Sequence, residues 1–425
     1  MHLPKSIDLG DITVRDGLQA LEHCFSTESK LRLAEEILLA GFKHVEVTNF
    51  GHPKLMPQFR DAEEMLLRLL DSERVGPLLA QNGGAATITA VTINERAAER
   101  ALAFKAKHGR GPDVLLQMVS TDPEHHRVNS GATLEDYWKM TERCTAAAAL
   151  EGMAMCGTVS TIWGSPMPGH EQTRLETAVE FSRRYLELGA AYVEHADHDG
   201  SADPARVFDY FRMVLDPERM GRFHEPRYHL AHFHTTRGMG LANYLAALQA
   251  GVVRFETTLS GVGGQPANLM DGVPVGGTGA YYHKEHLLGG LVGTEDFVVM
   301  AESMGISTGI NLGRLFEIGR LFRDEYLAVS PDDRRRLVRN VARVSGLPEA
   351  RVARLGEEPE TDEEIMIAAE NVAASSGQPL ERARGLAEGI LDSTRHYLRF
   401  GRWCHSRAET LASGLPPSPH LVGRG

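Results

Sequence analysis

Short β-rich runs alternate with helical patterns from the N-terminus to about residue 310, and no feature of the chain restricts its fold more. Such alternation marks parallel βα units, because two parallel strands need a crossover long enough to hold a helix. Strands are expected near Ile7–Thr13, His44–Thr48, Ala86–Thr92, Val114–Val119, Met153–Val159, Ala191–His195, Tyr228–His232 and Val252–Thr258, each followed by a helical segment. Eight such units predict an α/β chain built as a (β/α)₈ TIM barrel over residues 1–318. The chain has 425 residues, well beyond the ~250 typical of one barrel. Past Ile318 the sequence turns charged and helix-forming, which predicts a C-terminal helical appendage over 319–412 and a frayed Gly- and Pro-rich tail over 413–425.

Local signals refine this outline. Thr27 before Lys30–Leu39 and Thr133 before Leu134–Met140 can each cap a helix with a hydroxyl that accepts an unpaired amide hydrogen. The helix after the last strand should open at Thr294, with Glu295 and Asp296 at the positive end of its dipole. In the appendage, Ser330-Pro331 starts one helix, Thr361 with Glu364 forms a capping-box pattern, and Pro379 begins a run to about Leu398.

Charge and composition exclude several functions. A formal charge of −12 repels polyanions, and no Lys/Arg run is interleaved with aromatics, so no nucleic-acid partner is expected. No apolar stretch approaches the ~18 residues of a membrane span. Cys24, Cys144, Cys156 and Cys404 lack metal-ligand spacing, and Met1–Asp11 lacks the zones of a signal peptide, so a reducing cytoplasm is the expected setting. A small-molecule substrate fits better.

Active sites of such barrels lie at the C-terminal strand ends. Strand one runs into Val14-Arg15-Asp16-Gly17, strand two carries Glu46 and ends at Thr48-Asn49, strand six ends at Glu194-His195-Ala196-Asp197, and strand seven at His232-Phe233-His234. Residues two apart on a strand point the same way, so His232 and His234 can grip one ion. With a carboxylate such as Asp16, they form a nitrogen and oxygen site with open positions, suited to Mg²⁺, Mn²⁺ or Co²⁺, with Zn²⁺ possible. Each residue also has a plainer explanation. The histidines can pair by hydrogen bonds, Asp-Gly commonly marks a turn and Arg-Asp a surface pair, Glu46 can be an arginine's structural partner, and Asp197 can cap a helix. The glycine-rich run from Gly261 to Gly293 is far longer than the usual 2 to 6 residues, and residues 268–293 read as an inserted, lid-like loop carrying Tyr281, Tyr282 and His283.

Several dispersed motifs now fall into register. Asp11-Ile-Thr-Val-Arg-Asp-Gly-Leu-Gln19, Glu46-Val-Thr-Asn-Phe-Gly-His-Pro-Lys-Leu-Met-Pro-Gln58, His232-x-His234 with Leu241-Ala-Asn243, Gly261-x-Gly-Gly264, Thr294-Glu-Asp296 and Gly305-Ile-Ser-Thr-Gly309 resemble successive signatures of 3-hydroxy-3-methylglutaryl-CoA lyase. The wider group of metal-dependent barrel enzymes also holds isopropylmalate, homocitrate and citramalate synthases and 4-hydroxy-2-oxovalerate aldolases. The resemblance implies that Asp16, His232 and His234 bind the divalent ion. It further implies that Arg15 holds the developing enolate, that Glu46 lies beside the ion and Arg15, and that Asp197 is the acid-base group of strand six; His232 joins these three as the expected catalytic set. Asn94 and Asn129 would line the pocket.

Two positions depart from the lyase pattern. Gln265 stands where the lyase has a proton-exchanging cysteine, and an amide cannot exchange a proton near neutrality. His125, His126, His198, Tyr281, Tyr282 and His283 are the candidate replacements. Leu291 stands where the lyase has an asparagine ligand, whereas Gly261 to Asn268 reproduces the synthases' Gly-x-Gly-x-x-x-x-Asn pattern, making Asn268 the expected fourth ligand. The expected activity is cleavage of a carbon–carbon bond in a 3-hydroxy acid or its CoA thioester. Its rivals are an acyl-CoA-dependent condensation with a 2-oxo acid, an aldolase acting on a free acid, and a non-catalytic metabolite-binding protein. Apolar stripes on the appendage make a homodimer the expected assembly.

Overall fold

The computed structural model describes residues 3–19, 21, 24–54, 56–165, 167, 173–198, 200–235, 238–263, 269–270, 273–274, 290–327 and 331–400. Eight strands form a closed parallel barrel in chain order: β1 (Asp8–Asp11), β2 (His44–Asn49), β3 (Thr87–Val91), β4 (Val114–Ser120), β5 (Ala154–Ser160), β6 (Tyr192–Asp197), β7 (His229–Phe233) and β8 (Arg254–Thr257). Closure is made by β1 and β8, which pair from Asp8↔Arg254 to Asp11↔Thr257. The expected (β/α)₈ class is the observed one, for the physical reason that every strand is followed by a helix that returns the chain to the barrel's start.

Strand alternation sorts the side chains. On β7 and β8, Phe233 and Phe255 face outward and pack with Tyr244 and Phe297 of the surrounding helices, ring centroids 4.8 to 5.4 Å apart. Their neighbours His232 and Glu256 point into the barrel beside one another. Gly157 of β5 is required by close approach: a Cβ there would stand 2.2 Å from the Tyr185 ring.

Strand β1 ends two residues earlier than Thr13. The Asp11 carboxylate, pushed up to about 7 by burial, accepts the Thr13 amide, and Thr13 Oγ1 accepts the Leu259 amide across the closure. The backbone then winds Thr13–Gly17 into one π-helical turn, with the Asp16 and Gly17 amides returning to Ile12 O at 2.7 and 3.3 Å. Such single wide turns are common at functional sites. Strand β2 contains a bulge, since its register with β3 shifts between Glu46 and Thr48. The extra residue brings Asn49, rather than Thr48, to the barrel mouth.

The first helix is Thr27–Leu39, capped by Ser26 rather than Thr27, with Ser26 Oγ accepting the Ser29 amide at 3.1 Å. Thr133 caps Leu134–Leu150 as the sequence predicts, an interaction that contributes about 1 kcal/mol. Thr294–Ser303 begins where expected.

A hydrogen-bonded relay ties β6 and β7 to the helix Pro204–Val214. His229 Nε2 lies 2.8 Å from Phe223 O, which can only accept, so the His229 proton is on Nε2. Its bare Nδ1 therefore accepts from His195 Nε2 at 2.9 Å, and His195 Nδ1 accepts from the Tyr210 hydroxyl at 2.8 Å. Burial holds both rings neutral, lowering His229 to about 4 and His195 well below the usual range. The unfolded chain takes up these protons near pH 6.5. The relay's contribution to stability is thus complete above about pH 6.5 and is lost as pH falls toward about 4, by about 1.4 kcal/mol per pH unit for each ring. Urea midpoints measured at pH 7.5, 6 and 5 are expected to fall in that order. A midpoint independent of pH over this interval would contradict the neutral relay.

The chain divides into two compact units, Met1–Ile318 and Gly319–Gly425. Within the second, the helices Pro331–Ser345, Asp362–Ser376 and Leu380–Phe400 carry a core that includes Val338, Val341, Leu355, Ala369 and Leu391. Thr361 and Glu364 form the expected capping box. Among the described residues no helix is long and apolar enough to cross a membrane. Residues 401–425, which include the expected frayed tail, lie outside the described residues.

Candidate active site

The π-helical turn after β1 presents Arg15 and Asp16 at the C-terminal mouth of the barrel. Its position is clamped from the loop after β8: Gly263, at φ +118°, lies so close that a Cβ would come within 3.0 Å of the Asp16 main chain. Arg15 Nε meets Glu46 Oε2 at 2.7 Å, and its Nη1 meets Asp16 Oδ2 at 3.2 Å. Across the mouth, His232 Nε2 stands 3.3 Å from His234 Nε2 and 3.8 Å from Asp16 Oδ2. One ligand atom from each of Asp16, His232 and His234 lies within 4.8 Å of the others, and all three residues are buried.

Two further carboxyl groups stand beside His232: Glu256, which the sequence reading did not single out, and Glu194, which it placed at the end of strand six without a role. His232 Nδ1 lies 3.3 Å from Glu256 Oε2 on β8 and 3.7 Å from Glu194 Oε1 on β6. Both glutamates occupy inward positions of apolar strands, the signal that singled out Glu46 on β2.

Burial dominates the electrostatics. It opposes the Arg15 charge, but Glu46, Asp16, Glu194 and Glu256 outweigh it and hold the guanidinium more firmly protonated than usual. Burial pushes the Glu46 carboxyl up against the pull of Arg15, and pushes Glu194 and Glu256 further, aided by neighbouring carboxylates. His234 is lowered to about 4 by burial and then by His232, leaving a neutral ring with a lone pair to offer.

These residues fit a divalent cation. Two nitrogens about 2.1 Å from one ion stand about 3.0 Å apart at a right angle and about 3.4 Å at a tetrahedral one, and the imidazole nitrogens are 3.3 Å apart. Asp16, Glu46, Glu194 and Glu256 surround one guanidinium with 2 to 7 % exposure, a charge excess that burial makes costly without a further cation. The donor set of imidazole and carboxylate suits Mg²⁺, Mn²⁺, Co²⁺ or Zn²⁺.

A cavity opens beside the set. Its polar lining includes Arg15, Asp16, Glu194, His198, His232, His234, Asn49 and Asn129, and its apolar lining includes Val91, Ile93, Leu116 and Met118. Asn129 is therefore where the resemblance implies. Asn94 is not: its side chain accepts the Ala97 amide at 2.9 Å and caps the helix Glu95–His108.

Asp197 ends β6, but its two oxygens accept the amides of Ser201 and Ala202 at 3.0 and 3.1 Å, and it does not line the cavity. The adjacent His198 does. Its ring packs edge-on against His125 at 4.5 Å, its Nε2 is buried with no hydrogen-bond partner among the described residues, and burial with neighbouring His234 lowers it to about 3. Of the other candidate proton carriers, His125 and His126 are buried and line no part of the cavity. Gln265, Asn268, Tyr281, Tyr282 and His283 lie outside the described residues, as does most of the expected lid-like loop.

Known proteins share this barrel. Residues 6–322 match the HMGL-like family. The hydroxymethylglutaryl-CoA lyase of Bacillus subtilis is 27% identical over 326 residues, covering 76% of this chain and 95% of that protein. The human mitochondrial hydroxymethylglutaryl-CoA lyase is 27% identical over 317 residues, covering 75% and 85%. Among solved structures, an HMG-CoA lyase from Acinetobacter baumannii in complex with coenzyme A and 3-methylmalate superposes with a TM-score of 0.62 at 25% identity, covering 76% of this chain and 92% of that one. The family match runs without interruption from the residues before β1 to the helix beyond the eighth βα unit, and so spans every strand that contributes to the site: this chain belongs to the HMGL-like family.

Proposed function

We propose that the chain is a divalent-metal-dependent carbon–carbon lyase that cleaves a 3-hydroxy acid or its CoA thioester. The observation that carries this reading is the convergence of Asp16, His232 and His234 beside Arg15 in one buried cavity. The lyase names of the relatives support it.

Asp16, His232 and His234 would hold the ion, which when bound supplies a template and a Lewis acid for the substrate's hydroxyl and neighbouring carbonyl oxygens. The hydroxyl proton passes to the end of β6. Of the groups there, His198 lines the cavity, while Asp197, expected from sequence to take this proton, holds the Ser201–Ala202 turn that follows. As the hydroxyl carbon becomes a carbonyl, the bond to its neighbour breaks and that electron pair moves into an enolate. Arg15, held by Glu46, offers guanidinium hydrogens to the enolate oxygen. The enolate then takes a proton to complete the second product. Val91, Ile93, Leu116 and Met118 make part of the cavity lining apolar, which favours proton return from a protein group over bulk water.

The test is an NMR screen of Mn²⁺-reconstituted full-length protein against 3-hydroxyacyl-CoA thioesters, free 3-hydroxy acids, and acetyl-CoA with 2-oxo acids. Ion-dependent conversion of a hydroxyacyl substrate to an acyl product and a carbonyl compound is expected. Thiol release only from acetyl-CoA with a 2-oxo acid would reassign the chain as a condensing synthase, and binding without turnover would make it a metabolite-binding protein.

A further inference from the structure

We propose that Glu256 on β8, backed by Glu194 on β6, is a positioning residue that keeps the His232 proton on Nδ1 and so aims the Nε2 lone pair at the space shared with Asp16 and His234. This rests on reading those three residues as the ion's ligands.

The two nitrogens of His232 face different companies. On the Nε2 side stand His234 Nε2 at 3.3 Å and Asp16 Oδ2 at 3.8 Å; on the Nδ1 side stand Glu256 Oε2 at 3.3 Å and Glu194 Oε1 at 3.7 Å. A neutral imidazole has one bare nitrogen and one N–H, and only the bare nitrogen can ligate. A carboxyl oxygen accepting at Nδ1 settles which is which, and also fixes the ring's rotation. The acceptor itself is held from three sides. The Glu256 carbonyl receives the Tyr244 hydroxyl, its strand pairs with β1 at Gly10, and Gly10 leaves the space that the Glu256 stem fills, since a Cβ there would lie 3.2 Å from Glu256 Cγ. Glu256 is 5 % exposed, so water does not compete freely for Nδ1. Glu194 stands farther away and acts as the weaker second acceptor on the same side.

The arrangement separates the roles of the two inward glutamates around the ring from that of Glu46. Glu46 is spent on Arg15 at 2.7 Å, whereas Glu256 is turned to His232. Its removal should therefore change ion binding before it changes the handling of the enolate.

The experiment is calorimetric titration of Mn²⁺ into the metal-free full-length protein and its Glu256→Gln and Glu256→Leu variants, with visible spectra of the Co²⁺ forms. Glu256→Leu is expected to weaken Mn²⁺ binding about 10- to 100-fold and to shift the Co²⁺ bands. Glu256→Gln keeps a carbonyl oxygen for Nδ1–H and should recover most of the loss. Glu256→Ala replaces the leucine variant if that does not fold. Unchanged affinity and Co²⁺ spectra in the Leu or Ala variant would overturn the proposal, as would equal losses in the Gln and Leu variants, which would show that charge and not the acceptor matters. Failure of the unaltered protein to bind Mn²⁺ would instead sink the ion reading on which the proposal stands.

Discussion

Asp16→Asn is expected to lower ion-dependent turnover at least about a thousandfold, the equivalent of about 4 kcal/mol in the barrier, while leaving the barrel folded. The side chain supplies the one carboxylate of the candidate ligand set, opposite the two imidazoles. An amide oxygen of the same shape carries no charge and is a poorer partner for a hard cation. The fold should survive because the π-helical turn is built from main-chain bonds: the Asp16 amide donates to Ile12 O at 2.7 Å whatever the side chain, and Gly263 packs on the backbone rather than on the carboxylate. Deleting one charge from a pocket that also holds Glu46, Glu194 and Glu256 also relieves like-charge repulsion in the metal-free protein. The metal-free variant should therefore melt no lower than the metal-free parent, whereas added Mn²⁺ should raise the parent's melting temperature and not the variant's. Turnover with and without chelator, beside a melting curve, checks both halves. Undiminished activity in chelator-stripped Asp16→Asn would take the ion out of the mechanism.

The barrel was legible because its signal is repeated: eight strand-helix units each carry the same change of hydrophobic period, and an error at one boundary leaves the others in place. Boundaries were less legible where distant groups decide them. Strand β1 stops at Asp11 because Thr13 is drawn to Leu259, 246 positions away in the chain, and no local propensity encodes that bond. Strand alternation puts His232 and His234 on one face, whereas Asp16, in the turn after β1, was reached through its place at a strand end and the family resemblance. Glu194 and Glu256 carried the same signal as Glu46, an acid on an inward position of an apolar strand, but Glu256 lacked a neighbouring motif and Glu194, at the named end of strand six, was overshadowed by Asp197. Asn94 and Asp197 show that the same signal also serves structure. Each has a side chain suited to chemistry and a position at a strand end, yet each is engaged by backbone amides, the use that the sequence equally allowed. His198 was one of six candidates, and only its place on the cavity wall separates it from His125 and His126.

Arg15→Gln is expected to reduce kcat about 10²- to 10³-fold, as removal of an oxyanion-stabilising donor does, with Mn²⁺ affinity changed far less. The difficulty in reading such a variant is that Arg15 also has a structural partner: its Nε meets Glu46 Oε2 at 2.7 Å in a pocket where Glu46 is 2 % exposed. Breaking a buried pair by removing one member destabilises by about 3 to 5 kcal/mol, less if the orphaned carboxyl takes up a proton, which burial already favours for Glu46. Lost activity alone would not separate a missing catalytic charge from a disturbed pocket. The double variant Arg15→Gln/Glu46→Gln does so, because two amides can bond to each other and no charge is left unpaired. It should regain most of the single variant's lost stability while regaining little of its kcat. Arg15→Lys gives the complementary result: it keeps the charge but loses the planar fork that reaches Glu46 and the enolate oxygen together, so kcat should stay at least about tenfold down. Urea unfolding of the four proteins, set against their turnover of the substrate identified by the NMR screen, decides the matter. Activity returning in step with stability in the double variant would reduce Arg15 to a structural partner of Glu46.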